Sequence, residues 1–63
     1  MENLQELTNK YSLEISKEKL ITELYYELQI DHQVALLNEK YLIVDGVIYS
    51  FRKNNKQGKW IVK

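Results

Sequence analysis

The sequence contains no cysteine and no proline, and it has a single histidine, His32. Without cysteine the chain can form neither a disulfide nor a thiolate zinc site. With one imidazole and no thiol nucleophile, it also lacks a motif for acid–base or nucleophilic catalysis. We therefore expect a protein that is not an enzyme and that binds no metal ion and no cofactor.

Long apolar runs are also missing. No segment approaches the roughly 20 apolar residues that cross a bilayer, and residues 1–10 lack the basic and apolar regions of a signal peptide. These absences predict a cytoplasmic protein that does not enter a membrane. The usage of Asn, Lys, Ile and Tyr is typical of a low-G+C bacterium or its phage, so the expected cytoplasm is bacterial, or that of the host if a phage encodes the protein.

Acidic residues are absent from the C-terminal part of the chain. Residues 1–45 hold nine acids and four lysines, a formal charge of −5, whereas residues 46–63 hold five basic residues and no acid, a charge of +5. A chain of 63 residues is expected to form one small domain, residues 1–63. The division of charge predicts that this domain is dipolar.

Residues 41–63 carry the clearest structural pattern, which is strand, tight turn, strand, polar loop and strand. Asp45-Gly46 lies between two runs of β-branched and aromatic residues, as is typical of a hairpin with a type I′ turn. Such a turn pairs Val44 with Val47 and Tyr41 with Ser50. The residues that then share the first face are Leu42, Val44, Val47, Tyr49 and Phe51. Those on the second face are Tyr41, Ile43, Ile48, Ser50 and Arg52.

The second hairpin is predicted from the polar loop, taken as residues 54–57. This loop sets Phe51 opposite Trp60 and Tyr49 opposite Val62, and it makes Arg52 and Lys59 a like-charged pair. Trp60 and Val62 then join the first face, which we expect to be the core face, and Ile61 joins the second.

Helices are predicted in the N-terminal part. Leu4, Leu7 and Tyr11 have helical spacing and indicate a short helix over residues 2–10. Residues 12–15 alternate in polarity and form either a connector or a short strand. Ser16 is a suitable N-cap for a helix over residues 17–29. Its apolar stripe, expected to pack on the core face of the sheet, consists of Leu20, Ile21, Leu24, Tyr25 and Leu28.

Residues 31–40 allow two interpretations. Their Ala, Leu, Glu and Lys content favours a helix capped by Asp31, and we expect that outcome. The alternative is a buried strand over residues 33–37 that turns at residues 38–40 into the next strand. The predicted fold class is therefore α+β, with two or three N-terminal helices packed on a C-terminal three-stranded antiparallel meander.

This order of elements resembles the winged-helix DNA-binding proteins over residues 13–63. The segment LNEKYLIVDGVIYSF, residues 37–51, is similar to their passage from the recognition helix into the wing. The resemblance implies DNA binding through a helix at residues 31–40. That segment departs from the pattern, because it offers Asp31 and Glu39 against Lys40, whereas base-reading helices present Arg, Lys, Asn or Gln.

Two functions follow as hypotheses. The first is a small non-enzymatic protein that binds another protein, as a regulator or inhibitor from a phage or mobile element. Its partner, or a second copy in a homodimer, would cover the second sheet face at Tyr41, Ile43, Ile48 and Ile61. The alternative is a nucleic-acid binder whose hairpin loop contacts phosphates through Arg52, Lys53, Lys56 and Lys59. Lysines at such a tip also serve simply to keep an edge strand soluble and unpaired.

Overall fold

The computed structural model describes residues 4–63. Two helices, α1 (Leu4–Asn9) and α2 (Lys17–Leu28), precede four strands, β1 (Val34–Leu37), β2 (Tyr41–Val44), β3 (Val47–Asn54) and β4 (Lys59–Val62). The strands form one antiparallel sheet in chain order. The α+β class is confirmed, but the sheet has four strands instead of the expected three.

Helix α2 begins and ends close to the predicted residues. The hydroxyl of Ser16 accepts a hydrogen bond from the Lys19 amide at 3.1 Å, which satisfies one of the free N–H groups at the helix start. The predicted apolar stripe is buried at four positions: Leu20, Ile21, Leu24 and Leu28. Tyr25 is half-buried beside them.

Helix α1 lies within the predicted range of residues 2–10, of which residues 2 and 3 fall outside the described part of the chain. Residues 12–15 form turns, so the connector interpretation is correct and the short strand is not present there. The connector is fixed by the sheet, because the indole N–H of Trp60 donates to the Ser12 carbonyl at 3.0 Å.

The helix expected over residues 31–40 is wrong, because this segment forms strand β1 and a turn. Every residue of β1 pairs with β2, from Val34 with Val44 to Leu37 with Tyr41. Ladder hydrogen bonds to a neighbouring strand override the modest helix propensity of these residues. The strand alternative was right, but β1 is not buried, since Leu36 and Leu37 are 44% and 38% exposed.

The winged-helix arrangement is also wrong for residues 4–63. Strand β1 occupies the place where a recognition helix would lie, and no strand forms over residues 12–15. The resemblance of residues 37–51 to a wing therefore reflects only their shared hairpin pattern.

The Asp45-Gly46 hairpin agrees with the prediction at every pair, including Val44 with Val47 and Tyr41 with Ser50. Asp45 has φ of 51° and Gly46 has φ of 87°, and a type I′ turn requires positive φ at both central residues. The turn therefore sets the register of the first hairpin as the sequence indicates.

The register of the second hairpin differs from the prediction by two residues. Phe51 pairs with Val62 and Arg52 with Ile61, so the predicted Phe51–Trp60, Tyr49–Val62 and Arg52–Lys59 pairs are wrong. The loop spans residues 55–58 and ends at Gly58, whose φ of 68° cannot belong to a regular strand. Because side chains alternate with a period of two, this shift leaves Trp60 on the core face.

The hydrophobic core lies on one side of the sheet, where both helices pack. Its buried members are Leu4, Leu20, Ile21, Leu24, Leu28, Leu42, Val44, Phe51 and Trp60. Val47 belongs to this face, next to the Asp45-Gly46 turn, but is 50% exposed. Among residues 4–63, no helix has the length and apolar character needed to span a membrane.

Candidate functional site

Strand β3 divides the sheet into two halves. Its first four residues, 47–50, pair with β2, and residues 51–54 pair with β4 on the opposite side. The first half is therefore a three-stranded meander of β1, β2 and β3, and the second half is the β3–β4 hairpin. This geometry decides which side chains meet on the face that the helices leave open.

The open face of the three-stranded half is apolar. Pairing aligns Ala35, Ile43 and Ile48 in one row across the strands, and it aligns Leu37 with Tyr41 in the next row. Ile48 is 57% exposed, and Leu37 and Tyr41 are each 38% exposed. We call these five residues the apolar patch.

The apolar patch contains three of the four residues predicted for a partner or dimer face, which are Tyr41, Ile43 and Ile48. The fourth, Ile61, lies on the same face but in the other half, beside Arg52. Sequence reasoning missed Ala35 and Leu37, because it assigned their segment to a helix. The alternation of residues 33–37 under the strand interpretation would have placed both side chains on this face.

The open face of the β3–β4 half is basic. Arg52 and Lys59 lie on it by strand alternation, and Lys63 extends it because its backbone exchanges two hydrogen bonds with Ser50, at 2.9 and 3.2 Å. We call Arg52, Lys59 and Lys63 the basic patch. The ion pairs formed within residues 4–63 are Lys10–Glu27, Lys19–Glu23 and His32–Asp45, so none of them neutralises this patch.

The four basic residues predicted to contact nucleic acid do not share one surface. Arg52 and Lys59 belong to the basic patch, and Lys56 lies in the loop of residues 55–58. Lys53 points to the core face, where its ammonium lies 5.5 Å from the centroid of the Trp60 ring. A cation over an indole stabilises the fold, so Lys53 has a structural role there.

The titratable groups with shifted pKa values belong to contacts that hold elements together. Glu27 accepts hydrogen bonds from Lys10 at 2.7 Å and from the Tyr11 hydroxyl at 3.1 Å, and the Lys10 contact lowers the pKa of Glu27. Burial and the Glu27 carboxylate raise the pKa of Tyr11 to about 12. These contacts join the end of α1 to α2.

Asp45 performs a similar function in the sheet. Its carboxylate contacts His32 Nδ1 at 2.7 Å and accepts from the Gln33 amide at 3.1 Å, and the His32 contact lowers the pKa of Asp45. The Asp45 amide also donates to the Gln33 carbonyl at 2.8 Å. The only histidine of the chain therefore braces the start of β1 against the turn.

No cluster of three or more metal-ligating side chains is present in the described part of the chain. The comparisons with protein-family models, with curated protein sequences and with solved structures give no match to this chain. A function must therefore be inferred from the chemistry of its own surface, whose distinguishing feature is an open sheet face with an apolar half and a basic half.

Proposed function

We propose that this protein is a non-enzymatic interaction domain that binds another protein through the open face of its sheet. The observation that carries the proposal is that both helices contribute their buried residues to one face, while Leu37, Tyr41 and Ile48 remain exposed on the other. Exposed apolar side chains that adjoin one another, rather than lying singly, are typical of a protein-binding surface.

The two halves of the face indicate the chemistry of the partner. Burying a fully exposed large apolar side chain contributes roughly 1.5–3 kcal/mol. Ile48 is 57% exposed, and Leu37 and Tyr41 are each 38% exposed, so each can contribute about half of this, and the apolar patch is the main source of affinity in the proposal. The adjacent Arg52 and Lys59 favour carboxylates, which raise the association rate and fix orientation more than they add affinity. The partner we propose therefore presents an apolar surface flanked on one side by acidic residues.

An interaction domain of this kind acts by covering a surface of its partner. We therefore propose that the protein regulates or inhibits its partner by occupying a site on it, in the cytoplasm of a bacterium or of a phage-infected host. The prediction that a second copy covers Tyr41, Ile43, Ile48 and Ile61 stays a prediction, and the variants described next also test it.

Two neighbouring residues of β3 give a matched test. Ile48 is 57% exposed on the open face and Val47 is 50% exposed on the helical face, so aspartate at either position changes a similarly exposed apolar residue. The immobilised wild-type protein and the Val47→Asp control are expected to capture the same partner from the native host. Ile48→Asp should lose it, although its thermal midpoint should match that of the control.

Capture at equal affinity by the wild type and by Ile48→Asp would contradict the proposed face. Equal loss in both variants would mean that the contact lies elsewhere, at the hairpin end that they share. Light scattering on Ile48→Asp tests the face-to-face homodimer. If two copies meet through this face, a carboxylate at the centre of the contact abolishes the dimer, and a dimer that persists does not use the face.

Nucleic acid is the second candidate partner, and the basic patch supports it, since Arg52 and Lys59 share a face and form no ion pair with an acid of residues 4–63. Duplex and single-stranded DNA should be titrated at two salt concentrations, because phosphate contacts weaken steeply with salt. Arg52→Gln should then lose affinity, whereas Lys53→Gln, on the opposite face, should not. An absence of binding at low salt would exclude this candidate.

A further inference from the structure

The two edges of the sheet are treated differently by the rest of the molecule. At the β4 edge, the side-chain amide of Gln5 acts as a substitute for a neighbouring strand. Its oxygen accepts from the Val62 amide at 2.9 Å and its nitrogen donates to the Trp60 carbonyl at 2.7 Å. The outward backbone groups at the centre of β4 are thus satisfied, and no further strand can add there.

The β1 edge is open. Antiparallel strands direct alternate residues toward and away from a neighbour, and the hydrogen bond from Asp45 N to Gln33 O shows that the odd-numbered residues of this strand face β2. Val34 and Leu36 therefore direct their N–H and C=O groups outward. Within residues 4–63, no hydrogen-bond partner reaches these four groups.

This open edge also lacks the features that prevent strand addition. Natural edge strands are blocked by proline, by charged side chains or by a covering segment. Residues 33–38 contain no charge and no proline, and Leu36 is 44% exposed beside the free backbone groups. The edge is short and apolar, and it is well suited to pair with another strand.

We propose that a second copy of this chain pairs antiparallel with β1, about a twofold axis at Ala35. In this register Val34 exchanges two hydrogen bonds with the partner's Leu36, and Leu36 does the same with the partner's Val34. All four outward groups are satisfied at once, and the two four-stranded sheets become one of eight strands.

The self-complementarity of this register is the reason that a second copy is the occupant. On the helical face, Leu36 of each copy lies beside Val34 of the other copy, so each exposed leucine gains an apolar neighbour. On the open face the two Ala35 side chains meet at the axis, beside the Ile43 of each copy, so this contact is also apolar. An extended segment from another protein would need to match this pattern by chance.

The dimer has a consequence for the open face. Pairing along β1 leaves Ile48 two strands away from the axis, so the apolar patches of both copies stay exposed and become one continuous surface. The inference does not depend on the proposed function, because the edge pairs through the backbone groups of Val34 and Leu36, whereas the face binds through exposed side chains such as Ile48. A twofold surface would admit either one symmetric partner or two separate ones.

The absence of cysteine provides a direct test. Ala35 and the partner's Ala35 would form a non-hydrogen-bonded pair, with Cα atoms about 4.5 Å apart, within the range that a disulfide spans. Ala35→Cys introduces the only thiol of the chain and should form a covalent dimer on mild oxidation. The control Val47→Cys, whose side chain is also exposed, should cross-link at least about tenfold more slowly at equal concentration.

Light scattering gives the assembly state of the unmodified protein. The chain of 7.6 kDa should elute with about twice that mass at ~100 µM, a concentration above typical weak-dimer constants. Ala35→Lys and Ala35→Glu should each be monomeric, because like charges would oppose each other at the axis, and mixing the two should restore a dimer. Circular dichroism should show both variants folded, since Ala35 is exposed in the monomer.

Three results would overturn the proposal. One is a wild-type protein that stays monomeric at ~100 µM while Ala35→Cys fails to cross-link. Another is cross-linking of Val47→Cys as fast as that of Ala35→Cys. The third is a dimer that Ile48→Asp abolishes, because this variant leaves the edge intact and would place the contact on the open face instead.

Discussion

Replacing Gln5 with glutamate should destabilise the protein without changing the size of the side chain. The carboxylate keeps an oxygen for the Val62 amide but has no N–H for the Trp60 carbonyl, which Gln5 now contacts at 2.7 Å, or for Asn9 Oδ1 at 2.9 Å. The exposed Asn9 amide can rotate and donate to the new carboxylate, but leaving the part-buried Trp60 carbonyl without a donor costs about 1–3 kcal/mol. The carboxylate also faces a carbonyl oxygen, which adds repulsion.

That loss is large for this chain. At roughly 0.05–0.15 kcal/mol per residue, 63 residues give a free energy of unfolding of about 3–9 kcal/mol. Urea denaturation followed by Trp60 fluorescence should therefore show a clear drop in the midpoint for Gln5→Glu. The drop should shrink below about pH 4, where the introduced carboxyl is protonated and can donate a hydrogen bond.

Gln57→Glu is the matched control, because Gln57 lies exposed in the loop of residues 55–58, and its side chain makes no hydrogen bond with any of residues 4–63. Its effect should stay within about 0.5 kcal/mol, as for ordinary surface substitutions. If Gln5→Glu and Gln57→Glu had the same midpoint at pH 7, the side chain of Gln5 would not be closing the β4 edge.

The remaining predictions concern the core, the turn and one ionisation. Trp60→Ala should cost about 3–5 kcal/mol because the indole is fully buried, and an unchanged thermal midpoint would show that Trp60 is not in the core. Gly46→Val should cost about 1–3 kcal/mol through backbone strain at φ of 87°, since no atom lies within 4 Å of the added Cβ. Gly46→Asn should cost less, and equal losses would argue against strain. The raised pKa of Tyr11, about 12, contributes stability that is complete below pH 10 and is lost as the pH rises toward 12. Comparing urea midpoints of wild type and Tyr11→Phe across this range tests it, and a constant difference would contradict it.

The first hairpin and helix α2 could be predicted from the sequence because their signals are local. Asp45-Gly46 requires positive φ at both positions, and this requirement alone sets the register of β2 and β3. Ser16 and the spacing of the leucines likewise locate α2. In both cases the information lies within a few residues of the element that it specifies.

Strand β1 could not be predicted in the same way, because its stability comes from a neighbour. Residues 34–37 favour a helix by composition, and they become a strand through pairing with β2 and through the contacts of Asp45 with His32 and Gln33. A signal was nevertheless present, since Asn38 tolerates positive φ and takes a value of 55° in the turn.

The second hairpin shows a smaller failure with a similar cause. A four-residue loop that ends in glycine is a common hairpin connection, and Gly58 with φ of 68° marks its last position. Assigning Gly58 to the strand moved the register by two residues, although the faces were unaffected. The open face was therefore identified in part, whereas the division into apolar and basic patches required the observed pairing.

The separation of charge along the chain becomes a separation between the two sides of the molecule. The acids of residues 4–31 belong to the helical side, while Arg52, Lys59 and Lys63 face away from it. The helical layer lies across the sheet from these three residues, and exposed charges separated by more than about 8 Å are largely screened at physiological salt. The acids of the same copy therefore do little to neutralise the basic patch. An acidic flank on the partner proposed for the open face would complement this charge.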